Sequence, residues 1–461
     1  MGAGVSGWRL ARAVSAAGQL GVVSGTGLDL VLARQLQQGD PGGEIRSAMA
    51  RFPVPGVAQR ILDRYFVPGG KAVRDAYRAK PMPAAVPAPA LAQLTVVASF
   101  VFVLLAREGH QGPVGINLLE KIQAQTLPAL YGAMLAGVSF VLMGAGVPRG
   151  VPGALDAFAD GRAAELRLDV VGARPTDAFA TRFDPAGLYD AAPPALDRPT
   201  FLAIVASATL AASLLRKSNG RVDGFVVEGP TAGGHNAPPR GAPPLSPSGE
   251  PVYGPRDVVD PEEMCALGVP FWLAGSFGRA GALGAALAVG AAGIQVGTAF
   301  AYCDESDMDP VLRRRVLASS RAGAASVRTD PLASPTGFPI KVVGVAETLS
   351  DEAVYAARRR VCDLGYLRHA YRRDDGGVGW RCPAEPVEDF VAKGGAVAET
   401  RGRKCLCNAL MATIGQAQVR DGGDLEPPLV TSGDAVAEVA RFLPPGADSY
   451  DAAHVLELLL A

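Results

Sequence analysis

The sequence predicts an α/β fold, a (β/α)8 TIM barrel with a helical insertion and a cysteine-containing C-terminal subdomain. From residue 21 onward, β-type runs that end in glycine or polar turns alternate with Ala- and Leu-rich helical stretches. That alternation is typical of βα units around a parallel sheet. Eight such runs occur, and their apolar density is typical of strands buried on both faces. Eight strands with helices between them predict a closed barrel.

The predicted strands are spaced so that a helix fits between most neighbours. The helices at 122–135 and 280–289 carry apolar residues around much of their surface, as a helix packed between a sheet and its neighbours does. The strands are predicted at Gly21–Ser24, Pro113–Leu118, Phe140–Met143, Leu166–Val171, Phe201–Ser207, Gly224–Glu228, Pro270–Gly275 and Gly293–Gly297.

Two segments interrupt this pattern, and a different pattern begins after residue 350. Residues 37–90 are predicted to form a helical insertion that returns through a Pro-rich connector and could cover the barrel mouth. Residues 236–257 are too rich in Pro and Gly for a regular element and too long for an ordinary loop, which predicts an active-site lid. We therefore assign residues 1–350 to the barrel and residues 351–461 to a C-terminal subdomain.

Composition and charge favour a small-molecule partner. The 461 residues include 44 basic and 45 acidic side chains, with no basic stripe interleaved with aromatics, which argues against nucleic acid. No secretory signal pattern opens the chain, so we expect a cytoplasmic protein. The most apolar run, Leu91 to Ala106, is shorter than the roughly 20 residues that span a membrane, and predicts a buried helix. Whether the chain forms a homodimer stays an open question.

The segment VVEGPTAGGHNAPPRG, residues 226–241, is the best single motif for chemistry. A predicted buried strand ends directly in Ala232, Gly233, Gly234 and His235, at the edge where barrels carry their catalytic groups. Paired glycines let the backbone approach a ligand, and an imidazole exchanges protons near neutral pH. The alternative is a simple turn with a solvent-facing histidine, because Gly-Gly-His alone is a weak pattern.

The segments LAGSFG, residues 273–278, and GAALAVGAAGIQVGTAF, residues 284–300, predict a phosphate site. Two consecutive strands each end in small residues that expose backbone N–H groups. Such paired loops form the phosphate site of many barrels. The alternative is that the glycines only close tight turns, and a single loop of this kind would favour it.

Together these motifs resemble the nitronate monooxygenase (2-nitropropane dioxygenase) family of FMN-dependent TIM barrels. The resemblance runs from about Gly2 to Val343, through WRLARAVSAAGQLGVVSGTGLD, GPVGINLL, AGGH, AGSFG and GIQVGTAF, in the family's order and spacing. It implies FMN as cofactor and His235 as catalytic base. It also implies an FMN phosphate held by Ser276, Gly278, Gly297 and Thr298, with Gly275 in the same loop, and a ring against Gly25, Thr26 and Asn117, near Gly233 and Gly234.

This resemblance predicts an FMN-dependent oxidoreductase that oxidises a small carbon acid or nitronate. An unperturbed imidazole titrates near pH 6.5, so activity should fall below that pH. One alternative is a trans-acting enoyl reductase of polyketide or fatty acid synthesis that uses NAD(P)H. Another is a non-catalytic flavin-binding partner protein. Lys121 and Glu228 lie near the predicted mouth, but such groups are more often salt-bridged structural residues. The substrate, and the choice between oxygen and NAD(P)H, stay open.

The C-terminal region departs from the family by its cysteines. Cys362, Cys382, Cys405 and Cys407 fit a tetrahedral sulfur site for zinc or an iron–sulfur cluster. Only the C-x-C pair is close in sequence, so four ordinary small buried residues are the alternative. Cys265 and Cys303 are expected to belong to the core.

Overall fold

The structure, a computed structural model, describes residues 3–241 and 244–461. One parallel sheet is surrounded by helices, and smaller sheets lie outside it. Within the described residues the strands are β1 (Gly21–Ser24), β2 (Val114–Leu119), β3 (Phe140–Gly144), β4 (Ala164–Arg167), β5 (Val170–Val171), β6 (Ala180–Phe183), β7 (Thr200–Val205), β8 (Gly224–Glu228), β9 (Phe271–Ala274), β10 (Gly293–Gln295), β11 (Val327–Asp330), β12 (Ile340–Val343), β13 (His369–Arg372) and β14 (Val378–Arg381).

Helices precede, connect and follow these strands. Short 3-10 turns cover Pro185–Leu188, Pro255–Asp257, Val397–Thr400 and Asp434–Phe442. The α-helices are α1 (Trp8–Ala16), α2 (Leu28–Gln37), α3 (Glu44–Ala50), α4 (Pro55–Tyr65), α5 (Pro89–Arg107), α6 (Gln123–Leu135), α7 (Val151–Ala159), α8 (Ala208–Lys217), α9 (Pro261–Cys265), α10 (Ala282–Ala288), α11 (Thr298–Ala301), α12 (Pro310–Arg321), α13 (Glu352–Ala357), α14 (Val387–Ala392), α15 (Leu406–Thr413) and α16 (Ala452–Leu460).

The central sheet, counted over the described residues, has seven parallel strands in the order β1-β2-β3-β7-β8-β9-β10. Its strands are short apolar runs, and alternate side chains face opposite sides. On β3, Val141 and Met143 belong to the large core shared with the helices, whereas Leu142 joins an inner cluster with Leu202 and Val226. Burial on both faces explains why these strands form continuous apolar segments in the sequence.

The sheet curls so that its first and last strands face one space. Val22 of β1 and Ile294 of β10 line the same internal cavity as Leu142 of β3. The predicted α/β barrel architecture is confirmed, but with seven strands in the described sheet rather than eight.

The strand predicted at residues 166–171 is wrong as a barrel strand. Residues 164–167 form β4, which pairs antiparallel with β6, and residues 170–171 form β5, which pairs with β13. In this segment Leu166 and Leu168 are buried while Arg167 is exposed. Such alternation is typical of a strand with one solvated face, unlike the continuous apolar runs of the barrel.

Residues 37–90 form the predicted excursion through α3 and α4, and then return without regular structure to α5. Phe52 packs edge-to-face on Phe100 of α5 with ring centroids 5.2 Å apart. On the return, the Lys80 ammonium lies 2.9 Å from the Asp29 carboxylate, with both side chains 2% exposed. The excursion therefore packs against the main core.

Helix α5 is the one helix in the described part of the chain that is long and apolar enough to cross a membrane. In the structure, 78% of its most apolar stretch is buried inside the protein. It packs against α1, α2 and α6 and so forms part of the main core. A buried helix is what the sequence predicted for this run.

The C-terminal residues share their packing with the barrel. Tyr366 and Leu406 belong to the main apolar core. Val430 and Val455 join Tyr302 in a second core that also contains residues from the start of the chain. The predicted boundary between residues 350 and 351 thus does not coincide with a break in packing, and the division into two domains stays a prediction.

Candidate functional site

A cavity of about 580 Å³ runs along the inside of the sheet and reaches the carboxyl ends of its strands. The loops after β8, β9 and β10 contribute residues 231–234, 275–278 and 296–298 to its wall. Parallel strands place the loops that follow them at one edge, so three separate motifs meet there. The volume lies in the range of cofactor and ligand sites, roughly 300–1,000 Å³.

The loop after β9 has an unusual backbone. Gly275 has φ +106° and the non-glycine Ser276 has φ +58°, so two successive residues occupy the left-handed side of conformational space. Turns of this kind aim consecutive N–H groups at a ligand. Strain at a non-glycine residue is also a common mark of functional sites. The loop therefore fits the predicted phosphate contact.

The loop after β10 offers open space next to its backbone. A Cβ added to Gly297 would meet no atom within 4 Å, whereas one added to Gly278 would lie 3.3 Å from Val296 Cγ1. Gly297 therefore faces the cavity, and Gly278 faces its neighbours. The Thr298 hydroxyl accepts a hydrogen bond of 3.0 Å from the Gly433 N–H.

The C-terminal region completes this wall, which was not predicted from the sequence. Residues 431–433 and Ala435 line the cavity. A Cβ on Gly233 would lie 2.6 Å from the Gly433 backbone nitrogen, so the two chain segments need a glycine to touch. The Asp434 N–H donates to the Thr231 carbonyl at 3.1 Å. The signal was present in PPLVTSGD, an apolar run that ends in small residues like the other two loops.

His235 lies beside the cavity without lining it. Its backbone bridges to Ile340, and its Nε2 lies 2.6 Å from the Ser334 hydroxyl oxygen. Burial lowers the pKa of His235 to about 4. The imidazole is therefore neutral over the physiological range, and the expected loss of activity below pH 6.5 has to move to a lower pH.

Glu228, the last residue of β8, lines the cavity directly. Burial raises the pKa of its carboxyl to about 7. The carboxyl forms no hydrogen bond or salt bridge with another described residue, and the salt-bridged role expected from the sequence stays a prediction. Lys121 does fit that role, with its ammonium 3.0 Å from the Asp169 carboxylate.

The residues predicted to contact the flavin ring lie apart from this cavity. Gly25 and Thr26 line a separate pocket of about 20 Å³. A Cβ on Gly25 would lie 2.8 Å from the Asn117 carbonyl oxygen, so close strand packing already explains this glycine. The structure joins the phosphate loops and the Gly233–Gly234 turn, but not the ring contacts, which stay a prediction.

The described residues of the predicted lid, residues 236–257, form irregular chain with a short 3-10 turn. Its residues 242 and 243 lie outside the described part of the structure. The Thr329 N–H donates to the Glu250 carboxylate at 2.8 Å, and the Tyr253 hydroxyl donates to the Ala237 carbonyl at 3.0 Å. Both contacts fasten the segment near His235.

The four C-terminal cysteines come together around one small pocket. They do not form a group of three or more at metal-ligating spacing, and no other such group of His, Cys, Asp or Glu side chains occurs in the described residues. Of the two remaining cysteines, Cys303 is buried, but Cys265 is exposed, so its predicted place in the core is wrong. Cys265 ends the short helix α9 at the surface, which explains the difference.

Comparison with known proteins matches residues 167–329 to the family model described as nitronate monooxygenase. A probable nitronate monooxygenase from Bacillus subtilis (strain 168) is 36% identical over 117 residues, which are 25% of this chain and 31% of that protein. The chain thus matches about a third of that relative's length. The resemblance predicted from the sequence motifs is confirmed over this part of the chain.

Two solved structures are similar to nearly the whole chain at low identity. FabK from Thermotoga maritima is 15% identical with a TM-score of 0.46, covering 99% of this chain and 88% of FabK. Nitroalkane oxidase from Streptomyces ansochromogenes is 16% identical with a TM-score of 0.44, covering 100% of this chain and 92% of the oxidase.

Proposed function

We propose that this chain is an FMN-dependent oxidoreductase that oxidises a small carbon acid or nitronate, because residues 167–329 carry a nitronate monooxygenase domain. The observation that carries the proposal is the cavity at the carboxyl ends of β8, β9 and β10, whose loops bring Gly233, Gly275 and Gly297 to its wall. A small-molecule substrate and a cytoplasmic location belong to the same proposal.

The residues present fit FMN. The left-handed turn at Gly275 and Ser276 and the open space beside Gly297 leave room for a phosphate against backbone N–H groups. Gly278 and Thr298 complete the phosphate loops, and Gly233 and Gly234 line the adjoining wall. FMN supplies the electron acceptor when it is bound, while the protein supplies binding, orientation and proton transfer.

His235 is the proposed base for the substrate's acidic C–H. A base must be neutral to accept a proton, and burial keeps this imidazole neutral above about pH 4. Its Nε2 is held by Ser334, so it has to exchange that contact for the substrate. Gly234, immediately before it, has φ +82° and lines the cavity, so the backbone next to the imidazole lies at the site.

Glu228 is the second group able to handle a proton, because it faces the cavity and its pKa is raised to about 7 by burial. A partly ionised carboxylate near neutral pH is a stronger base than an imidazole with a pKa of about 4. We assign Glu228 a supporting role, in which it orients a polar group of the substrate. The pH dependence of the two variants separates these roles.

The proposal is tested on the purified full-length chain. We expect a flavin absorbance band, one flavin per chain, and chromatographic identification of the released cofactor as FMN. Nitronate should then be consumed together with oxygen. A colourless protein that cannot be reconstituted with FMN would overturn the proposal, and a flavoprotein that oxidises no nitronate would overturn its substrate class.

A further inference from the structure

Four of the six cysteines meet at a single pocket. Three separate segments supply them, and the pocket encloses about 10 Å³. Apolar side chains and one arginine, Arg368, form the remaining wall beside short stretches of backbone. The four thiols are Cys362, Cys382, Cys405 and Cys407.

Backbone N–H groups beside three of these sulfur atoms favour the thiolate form. They belong to Ala384 beside Cys382, to Asn408 beside Cys405, and to Leu367 and Tyr366 beside Cys407. The Asn408 side-chain amide also lies 3.6 Å from Cys405 Sγ. Donors aimed at sulfur stabilise the thiolate, which is the form that binds metal, and such outer contacts orient metal ligands.

Positive charge surrounds the same four sulfur atoms. Arg368 interacts electrostatically with Cys362, Cys382 and Cys407, and it forms no salt bridge with a described residue. Arg358 acts on Cys405 and is also paired with Glu426 at 2.8 Å. Four thiolates around a divalent cation carry a net charge of −2. Arg368 would offset part of that charge, whereas Arg358 is already paired with Glu426.

We propose that Cys362, Cys382, Cys405 and Cys407 bind one zinc ion in a tetrahedral site. Zinc–sulfur bonds of about 2.3 Å require sulfur atoms roughly 3.8 Å apart. The described residues contain no group of three or more side chains already placed to hold a metal ion, so binding requires the thiols to rotate about their Cα–Cβ bonds toward a common centre. We favour zinc over an iron–sulfur cluster because four thiolates in a closed, buried site are a usual environment of structural zinc.

The site would brace the segment behind His235. Pro335 lines the cysteine pocket, and the adjacent Ser334 holds the His235 imidazole. Arg403, two residues before Cys405, donates to the Ser334 carbonyl. A bound ion would therefore fix the hairpin of β13 and β14, the start of α15 and the chain at residues 334–335 relative to one another.

Metal analysis of the holoprotein tests the proposal. We expect about one zinc per chain in the wild type and in Cys265→Ser, which changes the exposed cysteine outside the cluster. Cys405→Ser should hold less than about a tenth of that amount. If that variant fails to fold, the wild type still decides: chelation should lower the thermal midpoint, expose four further thiols to a thiol reagent, and be reversed by zinc alone.

Substitution by Co²⁺ reports the coordination geometry of the site. Wild-type protein reconstituted with Co²⁺ should show sulfur-to-metal charge transfer and the visible bands of a tetrahedral centre, and Cys265→Ser should show the same bands. Protein without metal whose four thiols react freely would overturn the proposal. So would iron with acid-labile sulfide and broad brown absorption, or a disulfide within the cluster.

Discussion

Replacing Gly297 with valine tests where the cofactor phosphate binds. Gly297 has φ −116°, outside the left-handed region that favours glycine, and an added Cβ would meet no atom within 4 Å. The protein can therefore accept the side chain, which would occupy the cavity next to Thr298. Gly278 is less suitable for this test, because its Cβ already approaches Val296 at 3.3 Å.

The expected magnitude follows from the hydrogen bonds that the phosphate would no longer accept. If the valine displaces the phosphate from the backbone N–H groups of this loop, two hydrogen bonds to a charged group disappear. Each is worth about 1.5–3 kcal/mol, so the free energy of FMN binding weakens by about 3–6 kcal/mol. At about 1.4 kcal/mol per factor of ten, the Kd for FMN rises roughly 100- to 10,000-fold.

Apoprotein titrated with FMN, with binding followed by flavin fluorescence, measures this change. Gly187→Val is the matched control, because Gly187 is exposed, has open space around it and lies outside the cavity wall. Both apoproteins should unfold within a degree or two of the wild type. A Gly297→Val protein that binds FMN with wild-type affinity would refute the phosphate placement.

Three further outcomes are expected. His235→Asn should keep FMN and lose turnover by about 100- to 10,000-fold, and an unchanged rate would remove His235 as base. Because an acceptor must be deprotonated, a His235 base with a pKa of about 4 keeps kcat/KM level down to about pH 5, whereas a Glu228 base with a pKa of about 7 loses it below pH 7. In the second case Glu228→Gln should lose turnover at every pH, because glutamine accepts no proton. Lys80→Met should lower the free energy of unfolding by about 3–5 kcal/mol, measured by urea denaturation, because it leaves the buried Asp29 without its cation. Adding Asp29→Asn should recover part of that stability.

The barrel could be predicted because its strands obey a simple rule. Runs such as the one containing Phe225 and Val226 are apolar on both faces, and that pattern is readable without tertiary information. The prediction for residues 166–171 was wrong because this segment is apolar on only one face: Arg167 is exposed between two buried leucines. The loops after β9 and β10 were predictable for the same local reason, because glycines follow each strand.

Contacts that depend on distant segments were not predictable in this way. The direction of the His235 side chain is set by Ser334, 99 residues away in sequence. Gly25 is predicted to contact the ligand, but close packing on Ile116 and Asn117 across the strand pair would require a glycine there as well. No local pattern distinguishes a glycine that admits a ligand from one that admits a neighbouring backbone.

The C-terminal region illustrates how strongly such distant contacts determine the site. Residues 431–433 form part of the cavity wall, and Gly433 fits only because Gly233 lacks a side chain. Lys341 pairs with Asp434 at 2.7 Å, which fastens this wall to the strand that bridges to His235. The cysteine pocket includes Pro335, and the neighbouring Ser334 contacts His235. The C-terminal region thus contacts both segments that hold His235, so a change in either contact should reach His235 through Ser334 or Ile340 before it reaches the strands themselves.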